Sequence, residues 1–259
     1  MTHDSSVPSL AYERDGKGAP VVLLHGLGAN RRVWRKLLPS LSSSYDVIAI
    51  DLLGFGDSPK PLGSIDLRNL ADTTIALLDD LRIKQVHLVG NSLGGWLALS
   101  LALTRPDRVM DVIAIAPAFL HGMPEGLSAE TLAAAASPKS PEQMRAYMGR
   151  VTVDAGSLSD QDIETLLSDR LSTNDEHAIR QLAQSIQRGD HALTGQLDRI
   201  TSRVLVLHGR HDGVVSLAQS ESVAAELHDT SVRVLEGSAH WPQLDEPREV
   251  ASIIRGFLR

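Results

Sequence analysis

Six short runs rich in Val, Ile and Leu recur along the chain: Pro20–His25 (PVVLLH), Tyr45–Asp51 (YDVIAID), Val86–Gly90 (VHLVG), Val112–Ala116 (VIAIA), Val204–Gly209 (VLVLHG) and Ser231–Leu235 (SVRVL). Most are apolar at consecutive positions, so a strand built from them must be covered on both faces. That is the condition of a parallel sheet held between helical layers. The segments between the runs carry helical spacing. Asp66–Leu81 sets Leu67, Leu70, Ala71, Ile75, Leu78 and Leu81 three or four residues apart, with Asp66 or Ser64 as a cap. Leu93–Thr104 is apolar almost all round, as a helix at the centre of a fold must be, and Arg248–Leu258 supplies a final helix. Strands alternating with helices give βαβ units with right-handed crossovers, so the predicted class is α/β with a mostly parallel central sheet covered by helices.

One region breaks the alternation. Ala118 to about Asp198 holds helical stretches only, at Ser128–Ala136, Pro141–Gly149, Ser159–Leu171 and Asn174–Gln187, punctuated by Gly122, Pro124, Pro138, Gly156 and Gly189. Such a length is too great for a structureless loop. The expected organisation is therefore a core from residues 1–117 and 199–259 and a helical cap, or lid, from 118–198. Its apolar residues, among them Leu127, Leu132, Met144, Tyr147, Met148, Leu166 and Leu167, would wall a pocket, and exposed ones would equally support a homodimer.

Composition removes several functions. The chain carries 25 Lys+Arg against 32 Asp+Glu, a formal charge of −7 with the signs interspersed, which argues against nucleic acid as a partner. Cysteine is absent, which excludes disulfides, thiolate nucleophiles and Cys-ligated metals. The most apolar stretch, Leu93–Leu103, is far short of the about 18 residues a membrane span needs. Residues 1–9 lack the basic and apolar regions of a secretion signal, so a cytoplasmic protein is expected. No Walker-type GK[ST] occurs, and Asp51–Ser58 (DLLGFGDS) lacks the third glycine and helix start of a phosphate cradle, so it reads as a turn shaping a wall. The GRHDG segment has no accompanying ligand spacing, and no metal or cofactor is expected.

The sharpest local signal is Gly90-Asn91-Ser92-Leu93-Gly94-Gly95, where an apolar strand meets a helix. A G-x-S-x-G turn in that setting throws the serine hydroxyl out from the carboxyl edge of the sheet, and glycines two before and two after remove side chains that would collide. The helix starting there aims backbone N–H groups at any oxyanion formed. A serine needs a base, and the base needs an orienting acid. Of ten histidines, His240 lies in the small-residue loop Gly237–Pro242 between the last strand and the last helix. Asp212 follows the strand Val204–Gly209, whereas Asp111 sits at the wrong strand end. The predicted catalytic set is thus Ser92, Asp212 and His240, with the backbone N–H of Leu27 and Leu93 forming the oxyanion hole. His25 reads as a structural hydrogen-bonder.

HGLG, DLLGFGDS, GNSLGG, GRHDGVV and SAHWPQLDEP, in that order, resemble the landmarks of the α/β-hydrolase superfamily over nearly the whole chain. The resemblance implies the α/β-hydrolase fold with a helical cap inserted after the sixth strand, and a serine hydrolase such as a carboxylesterase. Esterases, lactonases, carbon–carbon hydrolases and cofactor-free haloperoxidases share these landmarks. Asn91 and Trp241 match the GNS[MFL]GG and HW patterns of meta-cleavage-product carbon–carbon hydrolases. The loop HGLGANRRVW departs from that family's longer glycine-rich loop followed by Asn, carrying Arg31, Arg32 and Trp34 instead. That family also holds a substrate carboxylate with a cap arginine, for which Arg145, Arg150, Arg170, Arg180 and Arg188 are candidates. The expected substrate is a small-to-medium ester, with Gly26, Asn91, Trp241, Tyr147 and Met148 as substrate contacts. The alternatives are cleavage of a 2-hydroxy-6-oxo-dienoate carbon–carbon bond, or a ligand receptor on this fold with weak turnover.

Overall fold

Consecutive apolar residues in the first five predicted runs become the two buried faces of one sheet, while Ser231–Leu235 forms an edge strand that leaves Ser231 and Arg233 exposed. The computed structural model describes residues 9–189, 191–228 and 230–258, so the N-terminal stretch on which the missing secretion signal was read lies, apart from Ser9, outside the described residues. Its elements in chain order are β1 (Tyr12–Gly16), β2 (Ala19–Leu24), α1 (Leu38–Leu41), β3 (Tyr45–Ile50), α2 (Leu67–Asp80), β4 (Val86–Asn91), α3 (Leu93–Thr104) and β5 (Val109–Ile115). Then follow α4 (Ala129–Ala136), α5 (Pro141–Val151), α6 (Asp160–Ser172), α7 (Glu176–Arg188), β6 (Arg203–Gly209), α8 (Leu217–Glu226), β7 (Thr230–Leu235), α9 (Pro242–Asp245) and α10 (Pro247–Phe257).

The seven strands lie in the order β1-β3-β2-β4-β5-β6-β7. Every pairing from β3 to β7 is parallel, and β1 joins antiparallel at the edge. β1 carries the polar sequence YERDG with all five residues exposed, so it offers no apolar run to find in the sequence. Pairing and a two-pronged Arg14–Asp46 ion pair at 2.8 and 2.6 Å hold it there.

Alternation sorts the strand residues to two cores. Val21, Leu23, Val47 and Ala49 pack with Leu41 of α1 and Val250 and Ile254 of α10. Val22, Leu24, Ile48 and Ile50 pack on the other face with Leu70 and Leu77 of α2 and Leu97 and Leu101 of α3. Each such buried side chain contributes about 1.5–3 kcal/mol. Asp66, not Ser64, caps α2: its carboxylate accepts from Asn69 N–H at 2.8 Å, and the Asn69 side chain accepts from Asp66 N–H at 2.9 Å.

The segment between β5 and β6 is helical, as expected. Ser128, Ser140 and Ser159 cap α4, α5 and α6 by accepting from the N–H three residues on, each worth about 1 kcal/mol. The expected insertion point needs one correction of ordinal: the helical segment leaves the fifth strand of this sheet rather than the sixth, because only one strand precedes β2 at the described edge. Because β2, β4, β6 and β7 run parallel, the loops after all four open on one edge. The chain turns to opposite sides after β2 and β4, which parts their loops into a crevice.

Candidate active site

The turn after β4 is strained, and glycines make room for it. Ser92 holds φ 56° and ψ −116°, a conformation costing about 1–3 kcal/mol that surrounding structure must impose. A Cβ on Gly90 would stand 2.0 Å from the Gly94 carbonyl oxygen, and one on Gly94 would stand 2.1 Å from that of Leu24. Ser92 N–H donates to Ile115 O at 2.8 Å and its carbonyl accepts from Trp96 N–H at 3.0 Å, which locks the turn to β5 and to α3. The Leu93 N–H, at the positive end of α3, and the Leu27 N–H, in the loop after β2, have no acceptor among the described residues. Gly26 lets that loop approach, since a Cβ there would lie 3.1 Å from Ser92 Cβ.

His25 holds the loop in place. It is fully buried, Nδ1 donates to Gly26 O at 2.8 Å, and Nε2 accepts from Leu52 N–H at 3.0 Å. Burial, the largest influence, lowers its pKa, so the ring is neutral with both nitrogens occupied. Behind it the fully buried Asp51 accepts from Arg31 N–H at 2.7 Å and Asp57 N–H at 2.8 Å, and pairs with the Arg31 guanidinium. Asp51 and Asp57 therefore brace the loop through Arg31, and no residue of Asp51–Ser58 lines the cavity that Ser92 lines.

Asp212 and His240 meet across the edge. His240 Nδ1 lies 2.7 Å from Asp212 Oδ2, with 5% of the histidine side chain and none of the aspartate side chain exposed. Asp212 Oδ1 accepts from Val214 N–H at 2.7 Å and Val215 N–H at 2.9 Å. Burial pushes the Asp212 carboxyl up, but the hydrogen bond and charge of His240 and those two N–H groups outweigh it and hold it below the ordinary carboxylate range. A carboxylate on Nδ1 puts the free tautomeric position on Nε2, the geometry of a base for a hydroxyl. Ser92 and His240 line the same cavity of about 80 Å³, with Gly26 and Leu27 on its wall. The described residues contain no direct Ser92–His240 hydrogen bond, and such bonds are often long in unliganded sites.

Sequence reasoning missed the braces around these loops. The exit of α5 is bonded to both: Gly213 N–H donates to Arg150 O at 3.1 Å and Trp241 N–H to Val151 O at 2.8 Å. Asp245 accepts from Ala239 N–H at 2.8 Å and from the Thr152 hydroxyl, tying α9 to the histidine loop and to α5. Glu246 accepts from Gly237 N–H at 3.2 Å and Ser238 Oγ at 2.5 Å. The acidic pair five and six residues past His240 was the visible signal.

Of the expected substrate contacts, Gly26, Tyr147 and Trp241 line the Ser92 cavity. Met148 lines an adjoining cleft instead. The expectation for Asn91 is corrected: it is fully buried, and its amide donates to Ile115 O at 3.2 Å and His240 O at 3.0 Å, so it braces the histidine loop from beneath. Of the five candidate arginines, Arg150 alone lines the Ser92 cavity. Arg145, Arg170 and Arg180 pair with Asp160, Asp175 and Glu176. Among the described residues no group of three or more His, Asp or Glu could hold a metal, and no helix is long and apolar enough to cross a membrane.

The fold and this edge define an α/β hydrolase, and comparison with known proteins agrees. The sequence matches the family described as alpha/beta hydrolase fold over residues 19–247, and the chain belongs to that family. It is 31% identical over 252 residues to the dihydrolipoyllysine-residue acetyltransferase component of the acetoin cleaving system of Pseudomonas putida, covering 96% of this chain and 66% of that protein, just under two thirds of its length. It is 31% identical over 274 residues to the pimeloyl-(acyl-carrier protein) methyl ester esterase of Aeromonas hydrophila subsp. hydrophila, covering 96% of this chain and 99% of that one. Among solved structures it is similar to the meta-cleavage product hydrolase from Pseudomonas fluorescens IP01, with a TM-score of 0.84, 26% identity, and coverage of 96% and 93%.

Proposed function

We propose that the chain is a serine hydrolase that cleaves small-to-medium carboxylic esters through Ser92, His240 and Asp212. The observation that carries this reading is the buried Asp212–His240 pair, whose histidine lines one cavity with a serine held at positive φ. His240 Nε2 takes the proton of Ser92, whose oxygen adds to the acyl carbon. The oxyanion is held by the N–H groups of Leu27 and Leu93. His240 returns the proton to the leaving alkoxide, and a water deprotonated by the same ring then clears the acyl-enzyme. Asp212 orients the imidazole and stabilises its charged form. Residues 118–198 act as a cap over a core of 1–117 and 199–259, excluding water and supplying apolar walls. The chemistry asks for no cofactor.

Turnover of a panel of esters of graded acyl length tests the reading, with Ser92→Ala as control. Loss of several orders of magnitude in kcat with an unchanged circular dichroism spectrum is expected. Retained turnover at matched purity contradicts it.

Arg150 supports a second reading. It lines the cavity with a hydrogen bond to Ala135 O at 3.2 Å but no carboxylate partner among the described residues, and a similar protein of known structure is a meta-cleavage product hydrolase. A substrate bearing a carboxylate, such as a 2-hydroxy-6-oxo-dienoate cleaved at a carbon–carbon bond, would satisfy that cation. Comparing kcat/KM for a ring-cleavage dienol acid and a simple ester separates the two readings; a ratio strongly favouring the dienol acid reverses their order.

A further inference from the structure

The turn that carries Leu27 has few holds of its own. Ala29 N–H donates to Gly26 O at 3.2 Å and closes a four-residue β-turn. Gly28 takes φ 73°, the left-handed backbone that a type II turn needs at its third residue. His25 grips the turn from the β2 side, through Gly26 O. The helical segment meets it from the other. A Cβ on Gly28 would stand 2.7 Å from Ala136 O and 3.5 Å from Arg170 Nη2, so the end of α4 and one guanidinium rest directly on the turn. Ala136 also forms part of the wall of the Ser92 cavity.

Arg170 holds that carbonyl in place. Its Nη2 donates to Ala136 O at 3.0 Å, while Nη1 donates to Thr173 Oγ1 at 2.8 Å and pairs with Asp175. The pair is nearly sealed, with 11% of the arginine side chain and 4% of the aspartate side chain exposed. Nε is sealed without an acceptor among the described residues, so the side chain gives up one hydrogen bond to keep the others. A guanidinium is a rigid planar fork. Anchored through Nη1, it sets the position of Ala136 O through Nη2. Arg170 lines the adjoining cleft and not the Ser92 cavity, so it acts through Ala136 and Gly28 rather than on the substrate.

We infer that Arg170, backed by Asp175, is a positioning residue for the oxyanion hole: it holds the end of α4 against the turn and thereby fixes the Leu27 N–H. This rests on the ester reading above and deepens it, because the segment between β5 and β6 becomes part of the catalytic apparatus rather than only a cover. A catalytic group misplaced by about 1 Å can cost about 10²-fold in rate. Both halves of the reaction pass through an oxyanion, so a disturbed turn lowers kcat and leaves KM nearly where it was.

Arg170→Lys is the test. An ammonium can still pair with Asp175 but lacks the second prong that reaches Ala136 O. With para-nitrophenyl acetate, kcat should fall at least tenfold with KM within threefold of the parent. Inhibition by trifluoroacetone, whose adduct with Ser92 places an oxyanion in the same hole, should weaken at least tenfold. If the lysine variant fails to fold, Arg170→Met combined with Asp175→Leu removes both buried charges together and should give the same pattern. A kcat less than tenfold below the parent, or a rise in KM that accounts for the whole loss of kcat/KM, leaves the pair a purely structural role and overturns the inference. Should the parent hydrolyse no ester, the ester reading has failed. The buttress is then judged by amide hydrogen exchange of Ala29, whose bond closes the turn: exchange at least tenfold faster in Arg170→Lys upholds it, and unchanged exchange overturns it.

Discussion

Replacing Asp212 by Asn changes one atom and should remove nearly all turnover. In the protein Oδ1 of Asp212 accepts from two backbone N–H groups, Val214 and Val215, at 2.7 and 2.9 Å. Those donors force an introduced Asn to keep its oxygen on their side, so its amide nitrogen must face His240 Nδ1, now 2.7 Å from a carboxylate oxygen. An amide donates where the carboxylate accepted. The imidazole is thereby driven to the tautomer with its proton on Nε2, the nitrogen needed to accept from Ser92. It also loses the charge that stabilises imidazolium. The expected loss in kcat is about 10⁴-fold, or about 5.4 kcal/mol of barrier. Because the two loop hydrogen bonds persist, the fold should survive. Stopped-flow hydrolysis of an activated acetate ester gives kcat, and proton NMR of the imidazole N–H resonances reports the tautomer. A kcat within tenfold of the parent, in a protein whose His240 proton has moved to Nε2, would refute the reasoning.

Three further outcomes follow from the same contacts. Burial lowers the pKa of His25, His87 and His208 from 6.5, so the unfolded chain takes up their protons first; Tm should be level above about pH 6.5 and fall as pH drops below it, while the depressed Asp212 carboxyl adds a loss only below about pH 4. Thermal melts across pH 3–8 check this, and a Tm that rises between pH 6.5 and 5 contradicts it. A Cβ on Gly209 would stand 2.0 Å from Ala239 O, so Gly209→Ala should part the aspartate and histidine loops, costing about 1–3 kcal/mol in urea denaturation and lowering kcat more than it changes KM. Asp245→Ala frees Ala239 N–H and the Thr152 hydroxyl; kcat should fall at least tenfold at nearly constant KM, with partial recovery in Asp245→Glu, whereas a change in KM alone would place Asp245 outside the positioning of His240.

Much of this architecture could be read from the residues. Strands buried on both faces write themselves as unbroken apolar runs, so β2 to β6 are legible within a few residues of their observed ends, and the edge strand β7 shows through its alternating valines, Val232 and Val234. The edge strand β1, exposed and polar, carries no such mark and is held by pairing with β3. Ser92, Asp212 and His240 stood out because each follows a parallel strand, and parallel strands deliver their loops to one edge. What the sequence could not carry were contacts between distant segments. That Arg150, of five arginines, lines the Ser92 cavity follows from the end of α5 docking on the Gly213 and Trp241 backbones. Asn91 looked like a substrate contact from its place beside Ser92, yet strand alternation turns it away from the serine and under the histidine loop.

The central claim is that Ser92 is a nucleophile activated by His240, and an active-site-directed organophosphonate tests it most directly. Mass spectrometry of the intact protein and its peptides should find one adduct per chain, on the peptide carrying Ser92, with the rate of labelling collapsing in His240→Ala. An unmodified Ser92, or labelling that proceeds equally without His240, would contradict the account.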